Sequence, residues 1–292
     1  MKILKPSEAA ELVKNGDCIV TDGFVGSCCP ETLTTALEKR FLETGKPINL
    51  KLMYAAAQGN QKGRGTDHFA HEGMIKRVVG GHYNMSPTLG KLAVDNKIEA
   101  YNFPQGTLAQ LFRDIAGKRV GTITHVGLNT FADPRIEGGK LNDITTEDMV
   151  EVIEIKGEEK LLYKSFPINI CFLRGTYSDN SGNITLEREV ATLESTSIAQ
   201  ATKNSGGIVV VQVEKIVANG SLDPRLVKIP GIYVNYVVVS SPDEHEQSFG
   251  CEYNPACTGE IKASMDSIEN TPLNSRKIIA RRAAFELQAN TV

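Results

Sequence analysis

The chain has 292 residues, 41% of them hydrophobic and 23% charged, with a formal net charge of −3. That length can bury a large core, the near-neutral balance argues against nucleic acid or an anionic membrane as partner, and no apolar run approaches membrane-spanning length. Six cysteines (Cys18, Cys28, Cys29, Cys171, Cys251, Cys257) form no C-x-x-C pair. With no secretory leader visible they read as reduced thiols in a cytoplasmic protein.

Pro6 to Asn15 carries Ala, Leu and Val at helical spacing and stops at Gly16. Asp17 to Val20 reads as a short buried strand. It opens onto Thr21-Asp22-Gly23-Phe24-Val25-Gly26-Ser27-Cys28-Cys29, and a helix is expected from Pro30 to Glu43, with Glu31 in its first turn. Gly23 and Gly26 let backbone approach a ligand, and free N–H groups there suit an anion or a polarised carbonyl oxygen. The same residues also fit a plain strand-to-helix turn. Neither G-x-x-x-x-G-K-[ST] nor G-x-G-x-x-G occurs.

Asn49 to Ala56 reads as a second buried strand, opening onto the polar loop Gln58 to Gly65. Further strands are expected at Arg77–Gly80 and Lys97–Asn102, with helices at Thr88–Asn96 and Leu108–Ala116. The segment from Val120 to Asn183 holds β-rich pieces at Val120–Thr124, Glu151–Ile155, Leu161–Tyr163 and Asn169–Leu173, which read as an antiparallel or mixed excursion. A helix at Glu194–Asn204 precedes Gly206–Val213, a run apolar on both faces and therefore central in a parallel sheet. Tyr233–Val239 is another strand, Ser240–Thr271 a polar linker or surface excursion, and Ser275–Gln288 a helix. The expected fold is α/β: a mostly parallel open sheet with flanking helices and a β-rich excursion. The end of the chain resembles its beginning: a helix with an Ala-Ala step, a polar turn, then the first residues of a strand at Val292. A second unit is therefore expected over 272–292, following a first domain over 1–271.

Four constellations are candidates for chemistry. His68, His71 and Glu72 fit neither H-E-x-x-H nor H-x-x-E-H, and ordering of a loop competes with metal binding. Cys251 and Cys257, with His245, are a weak zinc candidate. Cys28 and Cys29 abut a helix start, where a thiol pKa can fall, but no His partner is visible. Gln58, Asn60 and Gln105 are amides on loops just after expected strands, the edge where open α/β sheets bind ligands. A neutral amide donor there can stabilise an oxyanion or orient a carboxylate, or it can simply close its loop.

Several of these pieces together resemble the family I CoA-transferases. They are G-F-V-G-x-x-x-P-E-T-L at Gly23 to Leu33, P-Q-G-T-L at Pro104 to Leu108, the run Ser205 to Glu214, and Leu222 to Arg225 followed by Val227 to Val234. Gln58-Gly59-Asn60, Gly63-Arg64-Gly65 and His68 to Gly73 are similar to the propionate and acetate branch. The resemblance covers nearly the whole chain and implies a NagB/RpiA/CoA-transferase-like fold. It further implies that two α/β halves build one site, in which a glutamate carries CoA as a glutamyl thioester during ping-pong exchange between an acyl-CoA and a free carboxylate. Carried over, the Val25–Gly26 backbone and Gln105 stabilise the oxyanion or orient the acyl group. Gly23, Gln58, Asn60 and Gly106 are substrate-side positions. The nucleophilic glutamate belongs to a second half that this sequence does not contain, so the chain alone is expected to be inactive. The implied partners are acyl-CoA, a short-chain carboxylate, the complementary half or subunit and further copies of the chain. No cofactor or metal is expected beyond CoA as substrate. An acyl-CoA hydrolase of the same fold, a non-catalytic acyl-CoA or carboxylate binder, and a sugar-phosphate isomerase of related architecture are the alternatives. The last is disfavoured because no basic cluster adjoins the glycine turn in the sequence.

Overall fold

A computed structural model describes residues 1–290. Its strands in chain order are β1 (Lys2–Ile3), β2 (Cys18–Thr21), β3 (Leu50–Met53), β4 (Ile75–Gly80), β5 (Glu99–Asn102), β6 (Gly121–Thr124), β7 (Val150–Ile155), β8 (Glu158–Lys164), β9 (Ile170–Asp179), β10 (Ile184–Thr185), β11 (Ile208–Val217), β12 (Val227–Ile229) and β13 (Tyr236–Val239). The helices are α1 (Pro6–Glu11), α2 (Glu31–Thr44), α3 (Pro87–Val94), α4 (Gln105–Ala116), α5 (Ser195–Asn204) and α6 (Ser275–Ala284). Two compact units emerge, Met1–Asn254 and Pro255–Val292. The division after Asn254 does not coincide with the domain boundary expected at 271.

The first unit is built on a sheet ordered β1-β13-β11-β9-β2-β3-β4-β5, parallel at every step, with β10 added antiparallel to β9 and β12 antiparallel to β10. The expected mostly parallel α/β fold is present. β11 explains why such a sheet forms. Val209, Val211 and Val213 point into one core and Val210 into the other, so both faces must be covered. On the first face α4 contributes Leu108, Leu111, Phe112 and Ile115, and α5 contributes Ile198, Ala199 and Ala201. On the second face α1, α2 and α3 contribute Ala9, Ala10, Leu33, Leu37, Leu89 and Ala93.

Strand order fixes where a ligand can sit. From β2 the chain winds outward through β3, β4 and β5. It then returns to the other side of β2 and winds outward through β9, β11 and β13. The direction of winding reverses between β2 and β9, where Thr21 pairs with Phe172. In open α/β sheets the crevice beyond the strand ends at such a switch point is the binding edge. The glycine turn follows β2 directly.

Three expectations are corrected here. β6, β8 and β7 do form a separate antiparallel sheet, but the Asn169–Leu173 piece belongs to β9 in the main parallel sheet, because it pairs with β2 and β11. Gln105 is not on a loop; it is the first residue of α4, with Pro104 at the N-cap. Residues 240–254 are not a linker, because Ser240 and Gln247 are buried within the first unit. In the second unit α6 ends at Ala284, short of Gln288, and Asn274 caps its start by accepting from the Lys277 N–H at 3.0 Å. The strand start expected at Val292 lies outside the described residues.

Candidate active site

The turn after β2 is tightly constrained. Phe24 and Ser27 exchange both backbone hydrogen bonds at 2.9 Å, leaving Val25 and Gly26 at the tip. Val25 has φ +55°, unusual for a β-branched residue. It is held there because its N–H donates to the Ala57 carbonyl at 2.8 Å and its carbonyl accepts from Gly59 N–H at 2.7 Å. Strain of this kind costs about 1–3 kcal/mol and persists only where the surroundings over-determine it. Gly23 has no room for a side chain: a Cβ would lie 2.9 Å from Cys29 Sγ and 3.0 Å from Gln58 Cγ.

The geometry distributes the expected site residues unevenly. Of the Val25–Gly26 backbone, the Val25 N–H is committed to the Ala57 carbonyl. The Gly26 N–H has no hydrogen-bond partner among the described residues, although Gly26 is buried. Gln58 is buried and its amide donates to the Thr21 carbonyl at 3.0 Å. Asn60 accepts from the Lys62 and Arg64 N–H groups at 2.9 and 3.2 Å. Each of these contacts closes the loop. Gln105 is exposed beside Gly81 at the end of β4, where a Cβ on Gly81 would lie 3.3 Å from Gln105 Cβ. That is the same edge as the glycine turn but two strand spacings from β2, about 10 Å. Gly106 follows it with open space around its Cα.

A chain of charges that sequence reasoning missed braces the turn. Glu31 opens α2, and its carboxylate accepts from Arg64 Nε at 2.9 Å and Gly65 N–H at 3.1 Å and meets His68 Nε2 at 2.8 Å. His68 Nδ1 meets Glu38 at 2.6 Å, and the other Glu38 oxygen meets His71 Nε2 at 2.7 Å. Burial alone would lower the His68 pKa, but hydrogen bonds to Glu31 and Glu38 outweigh it and lift it to about 9. Both ring nitrogens therefore carry protons at neutral pH. His68 and His71 are engaged by Glu31 and Glu38, and Glu72 pairs with Lys97 instead. The thiols beside α2 are not activated. Burial pushes Cys28 up to about 12 and Cys29 well above its usual value. Asp22, also buried, is raised to about 7 by burial, against a 2.7 Å hydrogen bond from Ser195.

Residues 240–254 form a strap over the turn. The Phe249 N–H donates to the Gly26 carbonyl at 3.0 Å, and Ser248 bridges Ser27. Arg64 Nη1 donates to Glu246 at 2.6 Å, and its guanidinium lies 4.2 Å from the centre of the Phe249 ring. Behind the strap Arg174 pairs with Glu189 at 3.0 Å, both buried, at the floor of a cleft of about 480 Å³ that His245, Gln247 and Tyr253 also line. Gln212 donates to the Glu244 carbonyl and to His245 Nδ1, each at 3.1 Å, so His245 carries its proton on Nε2. Folding thus brings Arg64 and Arg174 to an edge where the sequence shows no basic cluster. G-R-G in the loop at Gly63 to Gly65 was the only signal for Arg64, and nothing local marks Phe249 or Arg174.

Residues 3–240 match the profile of the family described as Coenzyme A transferase. The chain belongs to that family. The chain is 43% identical to caffeate CoA-transferase of Acetobacterium woodii over 98% of its own length and 55% of that protein. The apoenzyme structure of the acyl-CoA transferase YdiF from Escherichia coli O157:H7 superimposes with a TM-score of 0.91 at 39% identity, over 98% of this chain and 54% of that one. Another structure of YdiF is described as a thioester complex with CoA. The alpha subunit of acetoacetyl-CoA:acetate/butyrate CoA transferase from Clostridium acetobutylicum, 25% identical, matches 81% of this chain and 97% of its own length. The chain therefore spans about half the length of the first two family members and nearly all of a separate alpha subunit.

Proposed function

We propose that the chain is the alpha-type half of an enzyme that moves CoA between a short-chain acyl-CoA and a free carboxylate of the acetate or propionate class. A glutamate of the complementary half attacks the thioester carbonyl and expels the CoA thiolate, forming an acyl-glutamyl anhydride. The thiolate then attacks the glutamyl carbonyl and releases the first acid, leaving glutamyl-CoA. A second acid reverses the sequence and leaves as its CoA ester. The Gly26 N–H carries this reading. A buried donor with no partner among the described residues, at the switch point and on a rigid turn, suits the oxyanion that develops in each attack. The nearby carboxylates support a nucleophile from elsewhere, since Glu31 is held by Arg64 and His68, Glu189 by Arg174, and Asp22 by Ser195. Gln105 and Gly106 then serve the distal part of the ligand. Coenzyme A is a substrate here, with no resident cofactor, and the enzyme works in the cytoplasm as an oligomer of two-half units.

The test mixes propionyl-CoA and acetate with the chain, with the complementary half, and with both. Acetyl-CoA is expected only from both together, and replacing the attacking glutamate by alanine abolishes it. Enzyme-like transfer by this chain alone would falsify the proposal. CoA release without an acceptor acid at the same rate would make the enzyme a hydrolase instead.

A further inference from the structure

A cavity of about 240 Å³ lies against the first halves of β2, β3 and β4, away from the glycine turn. Met149, just before β7, and Lys164 to Pro167, just after β8, close its other side. Strand register gives it a lining in two parts. Cys18 pairs with Lys51 and Lys51 with Arg77, so these three form one row across the sheet. Two residues further along the same face comes the row Val20, Met53 and Val79, all buried. The cavity is therefore apolar within, at Met53 and Val79, and cationic at its mouth, where Lys51 is exposed.

The charges at the mouth are not all spent. Arg77 is held by Glu99 and Glu147, each at 2.5 Å, and Lys164 by Glu151 at 2.5 Å. Lys51 pairs with no carboxylate among the described residues, and the buried Ser165 hydroxyl has no hydrogen-bond partner among them. A cation, a hydroxyl and an apolar end match a ligand with an anionic head and a hydrocarbon tail. An inorganic anion would leave the apolar row uncovered, and a neutral hydrocarbon would leave Lys51 unpaired. The volume is below the roughly 300–1,000 Å³ typical of sites for drug-sized ligands, which limits the tail to a few carbons.

We propose that this cavity is a second ligand site, which binds a short- to medium-chain carboxylate. The carboxylate meets Lys51 and the Ser165 hydroxyl, and the tail lies between Met53, Val79, Met149 and Phe166. The glycine turn leaves the opposite end of β2, so an acid bound here does not occupy the oxyanion site. The proposal stands on the cavity and is independent of the transferase reading.

The experiment labels the methionine methyl groups of the chain with carbon-13 and titrates it with hexanoate, with no acyl-CoA present. Met53 and Met149 line the cavity. Met85 reports on the turn edge, where its carbonyl accepts from the Gln61 N–H at 3.0 Å. The Met53 and Met149 signals are expected to shift together and saturate while Met85 stays in place. Butyrate should bind more weakly, by about threefold to fourfold for each buried methylene removed. Hexan-1-ol, inorganic phosphate, and hexanoate on Lys51→Ala should each bind at least tenfold more weakly, as expected for losing a charged hydrogen bond or the tail. Lys51→Arg should stay within threefold of wild type. An unchanged Met74 signal, from the opposite core, verifies that each variant is folded. Absence of a saturable shift at Met53 and Met149, or a shift at Met85 alone, overturns the site. Equal binding of hexan-1-ol or phosphate overturns the ligand class, and Lys51→Ala equal to wild type overturns the role of Lys51. Should Lys51→Ala fail to fold, the alcohol and phosphate titrations of wild type decide.

Discussion

His68 is the residue whose surroundings differ most from what its sequence neighbours suggest. Read beside His71 and Glu72 it could order a loop or bind a metal; in the fold it is an imidazolium between Glu31 and Glu38. Because its folded pKa is raised from 6.5 to about 9, it contributes stability in full below pH 6.5 and loses it as pH rises through about 9. Unfolding midpoints between pH 6 and 10 should show that loss in wild type and lack it in His68→Gln. A parallel fall in both proteins would exclude the assignment. Residues of this scale were legible where backbone shape demands them, as at Gly23, whose neighbours leave no space for a side chain, and at Gly26, where a Cβ would press on Phe249. Arg64, Phe249 and Arg174 were not legible. Each acts through partners far away in sequence, and no local periodicity encodes such a pairing. Gln58 and Asn60 were singled out for this edge, where the Gln58 nitrogen and the Asn60 oxygen make loop-closing hydrogen bonds.

At the scale of elements, the strands and helices of the sheet were readable because burial on two faces imposes an unbroken apolar run, and burial on one face a helical stripe. The strap was not readable. Residues 240–254 are polar and punctuated by proline, and their order comes from outside bonds: Arg64 to Glu246, Gln212 to Glu244 and His245, and Gln247 to the Arg188 carbonyl. Arg64 ties α2 to the strap, since it binds α2 through Glu31 and the strap through Glu246, Phe249 and the Asp243 carbonyl. Arg64→Ala should cost about 2 kcal/mol, as expected for breaking a partly buried pair and leaving Glu31 short of a donor. Amide exchange at Ser248 to Cys251 should accelerate more than exchange in β11. Lysine should restore little, because it lacks the planar fork and the ring-stacking face. Uniform acceleration across the sheet would show that Arg64 does not secure the strap.

Considered as a whole molecule, the fold concentrates its chemistry at one seam, the reversal of winding between β2 and β9, where the glycine turn, the charge chain and the strap converge. The seam was legible only as a likeness of motifs; strand order, which defines it, is a property of long-range pairing that no single stretch contains. The other end of the sheet has a different vulnerability. Among the described residues its last full strand, β13, is paired on the outside by the two residues of β1, with Lys2 opposite Tyr236 and Ile3 opposite Val237, and by the Leu4 N–H, which donates to the Val237 carbonyl at 2.9 Å. Uncovered, Tyr236–Val239 would present an apolar row of unpaired amides, the kind of edge through which proteins join into aggregates. Deletion of residues 1–3 should therefore leave the fold intact yet turn a dispersed protein into a self-associating one. Light scattering at rising concentration would reveal this, and scattering equal to wild type would mean that β13 is guarded by something other than its two-residue neighbour.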